Sequence, residues 1–422
     1  MSSRKLKILI YGINYAPELV GVGKFTSECA EWLAEQGHAV SVITAPPHFP
    51  EWRIGAGYSG HHYRRERLGS VDVQRCPLWL PARLSVLKRV LCCISFACAS
   101  LPPLLRELRG RPDILVTIEP TFFTIPPAWL FGRLFGVPVW LHVQDFELGA
   151  VRGLGMVRSG WLLRLAGRLE RWFVRRLDRV STLTASMDRQ LAEIGVPPER
   201  RLLFPNWVDC TQIRPLPGPS AYRARLGIGT DDQVLLYAGS FGAKHGLEIL
   251  VELARRLQRH PHFRLVLCGE GAERDALLRS AAGLANILWL PLQPIEQLNE
   301  LLNLADVHLL PQREGVADAV LPSKLTGMFA SGRPVVATAQ GGTALARIVT
   351  EGGVVAPPGD ADALSSAVIS LAGDPARLRA LGAGARAYAL QNFDRARILQ
   401  DFGAALAQAA RDAGKASGDR RT

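Results

Sequence analysis

Two glycine-rich loops in the 422-residue sequence combine residue types that hold phosphate groups. The first follows an apolar, strand-length run and has Gly21 and Gly23 at the start of a helical pattern. Glycine lets the backbone approach a ligand closely, and the free N–H groups and dipole of a helix N-terminus favour phosphate. Glu18 and Phe25 stand where a P-loop needs Gly and Ser or Thr, and Thr26 stands where a dinucleotide-binding loop needs a third glycine. A plain turn is the alternative interpretation.

The second loop, 237–246, repeats the order of strand, glycine-rich turn and helix. It places Lys244 at the entrance of the helix. A lysine there is unfavourable in the field of the helix dipole unless an anion is bound. A diphosphate would supply that anion, and a charged hydrogen bond contributes about 1.5–3 kcal/mol. A flexible surface lysine is the alternative.

Both loops must be positioned by parallel sheets. Near-continuous apolar strands alternate with helical patterns, and the alternation restarts after a segment, 213–220, with three prolines and one glycine. We predict an α/β fold of two doubly wound Rossmann-like domains with a linker over 213–220 and a ligand site in the interdomain cleft. The predicted N-terminal domain spans 1–212 and the C-terminal domain 213–413, with a helix over about 385–413 that can pack back on the first domain. A disordered tail is predicted over 414–422.

Cysteine usage and apolar segments indicate the compartment. The seven cysteines are odd in number and form no zinc-type pairs, so we interpret them as reduced packing residues. The N-terminal apolar run is too short for a signal peptide, and the apolar stretch 90–101 is about half of a bilayer span. The sequence therefore predicts a cytoplasmic protein without a transmembrane helix.

The formal charge of +12 is concentrated in the N-terminal half. Residues 82–111 carry +5 and residues 151–180 carry +6. Trp172 and Phe173 lie among arginines at helical spacing, a pattern that predicts a basic amphipathic helix on an anionic membrane surface. A solvated helix packed on the core is the alternative. Nucleic acid is not predicted, because no nucleic-acid-binding motif accompanies the charge. The arginines of the predicted stripe are Arg164, Arg168, Arg171, Arg175 and Arg179.

Several motifs occur in the order found in retaining GT-B glycosyltransferases of family 4. The chain resembles this family over about residues 6 to 400, and four further motifs resemble the subgroup that builds colanic acid and related bacterial surface polysaccharides. The family motifs include Gly21-Val-Gly23, Gly37-His38, the segments 204–209, 237–246 and 268–271, and the segment 330–336; the subgroup motifs are 11–18, 44–47, 144–147 and 321–324.

The resemblance implies roles for the matching residues. Gly21 and Gly23 would border the donor diphosphate from the N-terminal side, and Lys244 would hold it from the C-terminal side. His142 matches the family histidine near the reacting sugar carbon, where a donor or imidazolium stabilises charge. Without the resemblance, a histidine after a strand is more often structural.

Acidic residues near these motifs are candidates for the acceptor side of the reaction. Asp145 is a candidate base, and Glu18 and Glu147 are predicted to bind acceptor hydroxyls.

The donor side departs from the family pattern. Ser240 stands where the family usually has Arg, and Ala319 and Gly327 occupy the positions of its two glutamates. Glu314 and Asp318 are nearby acids that could bind sugar hydroxyls, and Lys324 could replace the missing cation. The predicted donor contacts are Gly21, Gly23, Ser240, Lys244, Glu314, Ser323 and Lys324.

The resemblance implies no cofactor and no metal, with a UDP- or GDP-linked sugar as substrate. A DxD triplet, Asp360 to Asp362, is better explained as a helix cap. We predict a retaining glycosyltransferase that uses a polyprenyl-diphosphate-linked saccharide acceptor in exopolysaccharide or O-antigen synthesis, peripheral on the inner membrane face. The alternatives are a sugar-nucleotide 2-epimerase and a non-catalytic scaffold of the same fold.

Overall fold

The computed structural model describes residues 5–18, 21–81, 85–119, 122–144, 160–242, 245–313 and 321–418. The chain forms two units: residues 1–205 with 399–422, and residues 206–398. Each unit is built around one largely parallel sheet with helices between its strands, which confirms the predicted α/β class and the two Rossmann-like domains.

The first unit has strand order β3-β4-β2-β1-β5-β6-β7-β8 in its described residues, and only β3 and β4 pair antiparallel there. The central strands are buried apolar runs, as expected for a sheet covered on both faces. Its strands are β1 Lys7–Tyr11, β2 Ala39–Thr44, β3 Arg64–Leu68, β4 Val71–Arg75, β5 Ile114–Glu119, β6 Val139–Val143, β7 Arg179–Thr182 and β8 Arg201–Leu203. Its helices are α1 Gly21–Glu35, α2 Val86–Arg106, α3 Ile125–Phe135, α4 Gly160–Val174 and α5 Ala185–Ile194, and it also receives most of α14 Arg395–Gly418.

The second unit has strand order β11-β10-β9-β12-β13-β14, with parallel pairing throughout its described residues. Its strands are β9 Gln233–Ala238, β10 Phe263–Cys268, β11 Ile287–Leu290, β12 Val307–Leu310, β13 Val335–Thr338 and β14 Gly353–Ala356. Its helices are α6 Tyr222–Arg225, α7 Glu248–Leu257, α8 Arg274–Ser280, α9 Leu298–Leu304, α10 Lys324–Ala330, α11 Ala344–Val349, α12 Ala361–Ala372 and α13 Pro375–Asn392. The predicted cap is confirmed, since Asp360 Oδ1 accepts from Ala363 N at 2.8 Å at the start of α12.

The segment 213–220, which the sequence predicts to be a linker, lies within the second unit. Side chains of α9 fix its backbone: Asn299 accepts from Arg214 N at 2.9 Å and Asn303 accepts from Leu216 N at 3.1 Å. Three prolines stop regular structure, but they do not stop a segment from being bound tightly by its neighbours. The division falls at residue 205 rather than at 212.

The end of the chain also differs from the predicted boundaries. The predicted helix over 385–413 is two helices, α13 and α14, and only the residues from Leu399 onward belong to the first unit. There Phe402 stacks on Phe204 with ring centroids 3.9 Å apart and contacts Trp140 edge-on at 5.2 Å. Helix α14 continues to Gly418, so the residues from Gly414 to Gly418 are not the irregular tail that the sequence predicted.

Helix α2 is longer than its apolar core, 90–101, suggested. Among the described residues, 87–106 with a mean hydropathy of 1.4 are long and apolar enough to span a membrane by length and composition alone. One side of this helix nevertheless packs inside the unit: Phe96 is fully buried beside Tyr11, and the Ser100 hydroxyl lies 2.6 Å from the Tyr11 hydroxyl. Its buried side therefore forms part of the first unit's core.

The basic helix α4 ends at Val174, so the predicted arginine stripe is shorter than expected. Arg175 lies beyond the helix and donates to the Ile194 carbonyl, and Arg179 is the first residue of β7 and pairs with Asp412 at 2.9 Å. The stripe on α4 therefore consists of Arg164, Arg168 and Arg171, all exposed.

Candidate functional site

The carboxyl ends of β9 and β12 mark the point where the strand order of the second sheet reverses, which is where ligands of doubly wound sheets bind. The loops after these strands touch each other. A Cβ on Gly246, which has a φ of +63°, would lie 3.3 Å from the Arg313 Cα. The two loops therefore meet at the carboxyl edge of the sheet, and they come this close because Gly246 has no side chain.

The loop after β9 is also packed against the loop after β10. Gly239 and Gly269 have φ angles of +153° and +148°, which favour glycine. A Cβ on Gly269 would lie only 1.9 Å from the Gly239 carbonyl oxygen, and one on Gly271 would lie 2.5 Å from the Phe241 oxygen. Backbone thus meets backbone directly at this edge, a packing that only glycine allows.

Lys324, the first residue of α10, directs its amine at this glycine loop. Its Nζ donates to the Tyr237 hydroxyl at 2.8 Å and lies 4.3 Å from the centre of the tyrosine ring. The Tyr237 hydroxyl in turn donates to the Ser240 carbonyl at 2.7 Å. Nζ would be 2.8 Å from a Cβ on Gly239. The structure therefore brings the predicted cation Lys324 to the turn that the sequence assigned to the diphosphate.

The other predicted donor contacts of this unit lie partly outside the described residues. Lys244 and Glu314 are among those not described, as is the alternative acid Asp318. Ser240 is exposed, and its hydroxyl lies 3.1 Å from His245 Nε2. Ser323 is exposed at the start of α10, directly before Lys324. The Lys324 amine and the Ser240 carbonyl are thus connected through the Tyr237 hydroxyl, and Ser323 directly precedes Lys324 in the sequence.

In the first unit, Gly21 and Gly23 open α1 after the loop that follows β1. Gly21 has a φ of +61° and lies under the Phe49 ring, 3.5 Å from the position of a Cβ. A Cβ on Gly23 would be 2.6 Å from Glu18 Oε2. Both glycines therefore lie at the helix start, as predicted, and Gly23 makes room for the Glu18 side chain.

Glu18 turns inward and organises two loops. Its Oε1 accepts from the backbone N–H groups of His48 and Phe49 at 2.9 and 3.0 Å, and its Oε2 accepts from Asn14 Nδ2 at 2.9 Å. The carboxylate is almost fully buried, with 1% of the side chain exposed. Although the sequence predicts that it binds acceptor hydroxyls, both oxygens here bind the protein's own N–H donors.

His142 lies near the carboxyl end of β6 and is 3% exposed. Its Nδ1 is 3.0 Å from the Ser181 hydroxyl, which also accepts from Trp140 Nε1 at 2.9 Å. Burial lowers the pKa of His142 to about 3, so the imidazole is neutral at physiological pH. Of the two alternatives drawn from the sequence, a hydrogen-bonding imidazole fits this environment and an imidazolium does not. Asp145 and Glu147 lie outside the described residues.

Comparisons with known proteins match both halves of the chain. Residues 20–207 match the glycosyl transferase 4-like domain, and residues 232–374 match the glycosyl transferases group 1 domain. A protein of Escherichia coli (strain K12), WcaI, named as a colanic acid biosynthesis glycosyl transferase, is 39% identical over 416 residues, which cover 94% of this chain and 98% of the relative. The chain belongs to this glycosyltransferase family. It is an enzyme that transfers sugar.

Solved structures show the same fold. Sucrose-phosphate synthase from Thermosynechococcus elongatus has a TM-score of 0.74 at 20% identity, covering 96% of this chain and 99% of its own. HepE from Anabaena, solved in complex with UDP-glucose, has a TM-score of 0.69 at 16% identity, covering 96% and 100%. With these neighbours, the predicted GT-B fold is confirmed.

Two residues of this glycosyltransferase were not predicted from the sequence, although the structure places them at the carboxyl edges of the two sheets. Tyr237 lies within the apolar strand β9 and gave no polar signal, yet its hydroxyl connects Lys324 to the glycine loop. Arg75 is 1% exposed and donates to the carbonyl oxygens of Ala45, at 3.1 Å, and Ala16. An arginine at the end of the alternating strand β4 was the available signal for this buried charge.

Proposed function

We propose that this glycosyltransferase transfers a sugar from a UDP-linked donor, held at the carboxyl edge of the second sheet, to a lipid-linked saccharide during bacterial surface polysaccharide synthesis. The observation that carries the donor assignment is the Lys324 amine at the glycine loop after β9. The name of WcaI, which refers to colanic acid biosynthesis, supports a role in surface polysaccharide synthesis. The UDP-glucose bound to HepE supports a donor that carries uridine.

The proposed chemistry stabilises a departing diphosphate. Negative charge develops on the diphosphate as the bond to the sugar breaks, and preorganised cations and N–H donors lower the energy of that state. Lys324 supplies one positive charge from a partly buried position, and Gly239 lets a ligand approach the backbone beside it. Lys244 would add a second cation. We therefore propose that protein groups, without a metal, offset the leaving-group charge.

On the acceptor side, neutral His142 would act through hydrogen bonding rather than through charge. The Ser181 hydroxyl fixes its ring, and Trp140 Nε1 holds that hydroxyl in place by donating to it. Retention of the anomeric configuration follows from the family resemblance and is part of the proposal. A shared cleft between the two domains likewise stays a prediction.

The donor assignment is tested by measuring nucleotide binding to the Lys324→Ala, Lys324→Arg and Arg279→Ala variants. Thermal shift and calorimetry with UDP, UDP-glucose and GDP should show selective binding of uridine nucleotides to the wild type. Loss of one charged hydrogen bond should weaken UDP binding at least about tenfold in Lys324→Ala. Lys324→Arg should retain part of the affinity, and the exposed Arg279 of α8 is the charge-matched control.

Three results would contradict parts of this assignment. Unchanged UDP affinity in Lys324→Ala would remove Lys324 from the donor site. Selective GDP binding would change the donor base. Consumption of a UDP-N-acetylhexosamine without any added polyprenyl-diphosphate saccharide would favour the epimerase alternative over transfer.

We further propose that the enzyme is cytoplasmic and binds the inner face of the membrane through helices α2, α3 and α4. Helix α3 packs against both of the others, and Trp129 of α3 contacts Trp172 of α4 with ring centroids 5.3 Å apart. Large apolar side chains and the arginines of α4 are exposed on these helices, a combination that favours anionic lipid. The apolar residues are Leu87, Leu91, Leu101, Leu105, Leu130, Leu134, Phe135, Leu165, Leu169 and Trp172.

Liposome flotation tests this membrane proposal. The wild type should float with vesicles containing phosphatidylglycerol at low salt and less with phosphatidylcholine alone. Leu134→Asp and Leu169→Asp together should reduce flotation at least fivefold, whereas Leu292→Asp, at an exposed leucine of the second unit, should not change it. Equal flotation of the double variant and the wild type would contradict the assignment of this surface.

A further inference from the structure

The loop that follows β2, residues 45–53, is held in place by two buried charged side chains. Glu18 Oε1 accepts from the N–H groups of His48 and Phe49, and Arg75 Nη1 donates to the Ala45 carbonyl at 3.1 Å. Glu18 and Arg75 are 5% and 1% exposed. Charged groups that bind backbone away from water fix its position more firmly than neutral contacts do. These hydrogen bonds therefore fix the position of the loop at the carboxyl edge of the first unit's sheet.

This anchored loop presents aromatic rings. Phe49 and Trp52 meet edge to face, with centroids 6.1 Å apart and an interplanar angle of 83°. Trp52 is partly exposed and has a φ of +51°, a left-handed conformation that is unfavourable for a bulky residue. Non-glycine residues held in this region occur preferentially at functional sites, where the surrounding structure supports the strain.

A cation lies beside the partly exposed indole. The exposed Arg89 of α2 has its guanidinium carbon 5.1 Å from the centre of the Trp52 ring. The Phe49 ring lies beside Gly21 at the start of α1. Trp52, Phe49 and Arg89 thus form one cluster, here called the aromatic platform, at the same edge of the sheet as the loop after β1.

We propose that the aromatic platform binds the saccharide of the acceptor, with Trp52 against the C–H face of a sugar ring and Arg89 near an anionic phosphate attached to it. The proposal rests on the proposed function. Aromatic side chains with a few placed polar groups are the usual composition of such sites, and an indole offers a large flat apolar surface. Arginine matches the geometry of phosphate oxygens. A phosphate-linked sugar presents both groups together.

The test is binding of simple probes to the full-length enzyme in saturating UDP. Saturation-transfer NMR with the methyl glycosides and the 1-phosphates of glucose and galactose should detect contact in the wild type, with the 1-phosphate bound more tightly. Trp52→Ala should weaken both probe classes at least tenfold, and Trp52→Phe should retain most binding. Arg89→Ala should remove only the preference for the phosphate. Trp79→Ala, at a more exposed tryptophan after β4, is the matched control and should bind as the wild type does.

Binding of UDP, followed by thermal shift, distinguishes failure of this proposal from failure of the donor assignment. All variants should keep the wild-type UDP shift. If Trp52→Ala loses it through misfolding, Arg89→Ala decides the matter, because Arg89 lies outside the loop and its removal should abolish the preference for the 1-phosphate. Wild-type probe affinity in Trp52→Ala, or no probe bound by the wild type while UDP binds normally, would overturn the platform.

Discussion

The carboxyl edges of the two sheets are built in different ways. In the first unit, buried charged side chains hold the loops: Glu18 accepts from backbone N–H groups and Arg75 donates to backbone carbonyls. In the second unit, glycines let the loops rest directly on one another, as Gly269 does on Gly239. Both solutions hold the loop backbone near a ligand site, but only in the second do the loops meet through direct backbone contacts at glycine.

This difference fits two kinds of ligand. A diphosphate is the same in UDP-linked and GDP-linked sugars, and it is bound by close backbone N–H groups of the kind that glycine loops expose. An acceptor saccharide varies in shape, so its recognition needs side chains presented by loops of fixed position. The first edge can therefore change its exposed residues, such as Trp52, while Glu18 and Arg75 keep the loop in place.

Removal of the buried arginine should give the largest effect on stability. Arg75→Leu removes the donor to the Ala45 carbonyl and one of the two arginines that pair with Glu66, and the loss of one member of a buried ion pair costs about 3–5 kcal/mol. Urea unfolding measures this cost. The control Arg67→Leu removes an exposed ion pair with Asp72 and should change the free energy of unfolding by less than about 1 kcal/mol. Equal stability of the two variants would show that the first edge does not depend on its buried charge.

A methyl group at the second edge should have the next largest effect. In Gly269→Ala the new Cβ would lie 1.9 Å from the Gly239 oxygen at a φ of +148°, so the loop must move at a cost of about 3 kcal/mol. UDP binding, measured by calorimetry, should fall with it. Gly341→Ala has no heavy atom within 4 Å of its Cβ and serves as the control. Retention of both stability and UDP affinity in Gly269→Ala would mean that the glycine contact is not required.

The sequence predicted the second edge better than the first. Apolar runs such as 234–237 and 263–268 identify strands, and glycine with lysine in one short loop predicts a phosphate-binding turn. All of that information is local in the sequence. The contact between Lys324 and the turn is distant, 87 residues from Tyr237, but the family pattern already assigned a cation there.

At the first edge the decisive contacts join distant residues of ordinary type. Glu18 reaches Phe49 across 31 positions and Arg75 reaches Ala45 across 30, and nothing in the local pattern indicates that these charges point inward. The edge strand β3 likewise could not be predicted, because its sequence, Arg-Arg-Glu-Arg-Leu, is mostly charged and shows no apolar alternation. The sequence therefore could not predict the long-range polar contacts that hold the loops of the first edge.

His142 of the first unit and His308 of the second are both buried, and acid should affect both units through them. His142 on β6 and His308 on β12 each have a ring nitrogen near a serine hydroxyl, Ser181 at 3.0 Å and Ser331 at 3.1 Å. Burial lowers the pKa of each to about 3, whereas an unfolded histidine titrates near 6.5. Between these values the unfolded chain binds protons that the folded chain excludes, so the contribution of these two histidines to the free energy of unfolding is fully present well above pH 6.5 and is lost as the pH decreases toward 3.

Linkage gives the size of this effect and separates structure from catalysis. At pH 5 each histidine should lower the free energy of unfolding by about 2 kcal/mol relative to pH 7, and His142→Gln or His308→Gln should each remove its own share. Transfer of sugar at pH 7 should fall strongly in His142→Gln and little in His308→Gln, because only His142 matches the residue near the reacting carbon. Equal loss of activity in both variants would assign His142 to packing alone, and the first edge would then owe its chemistry to other residues.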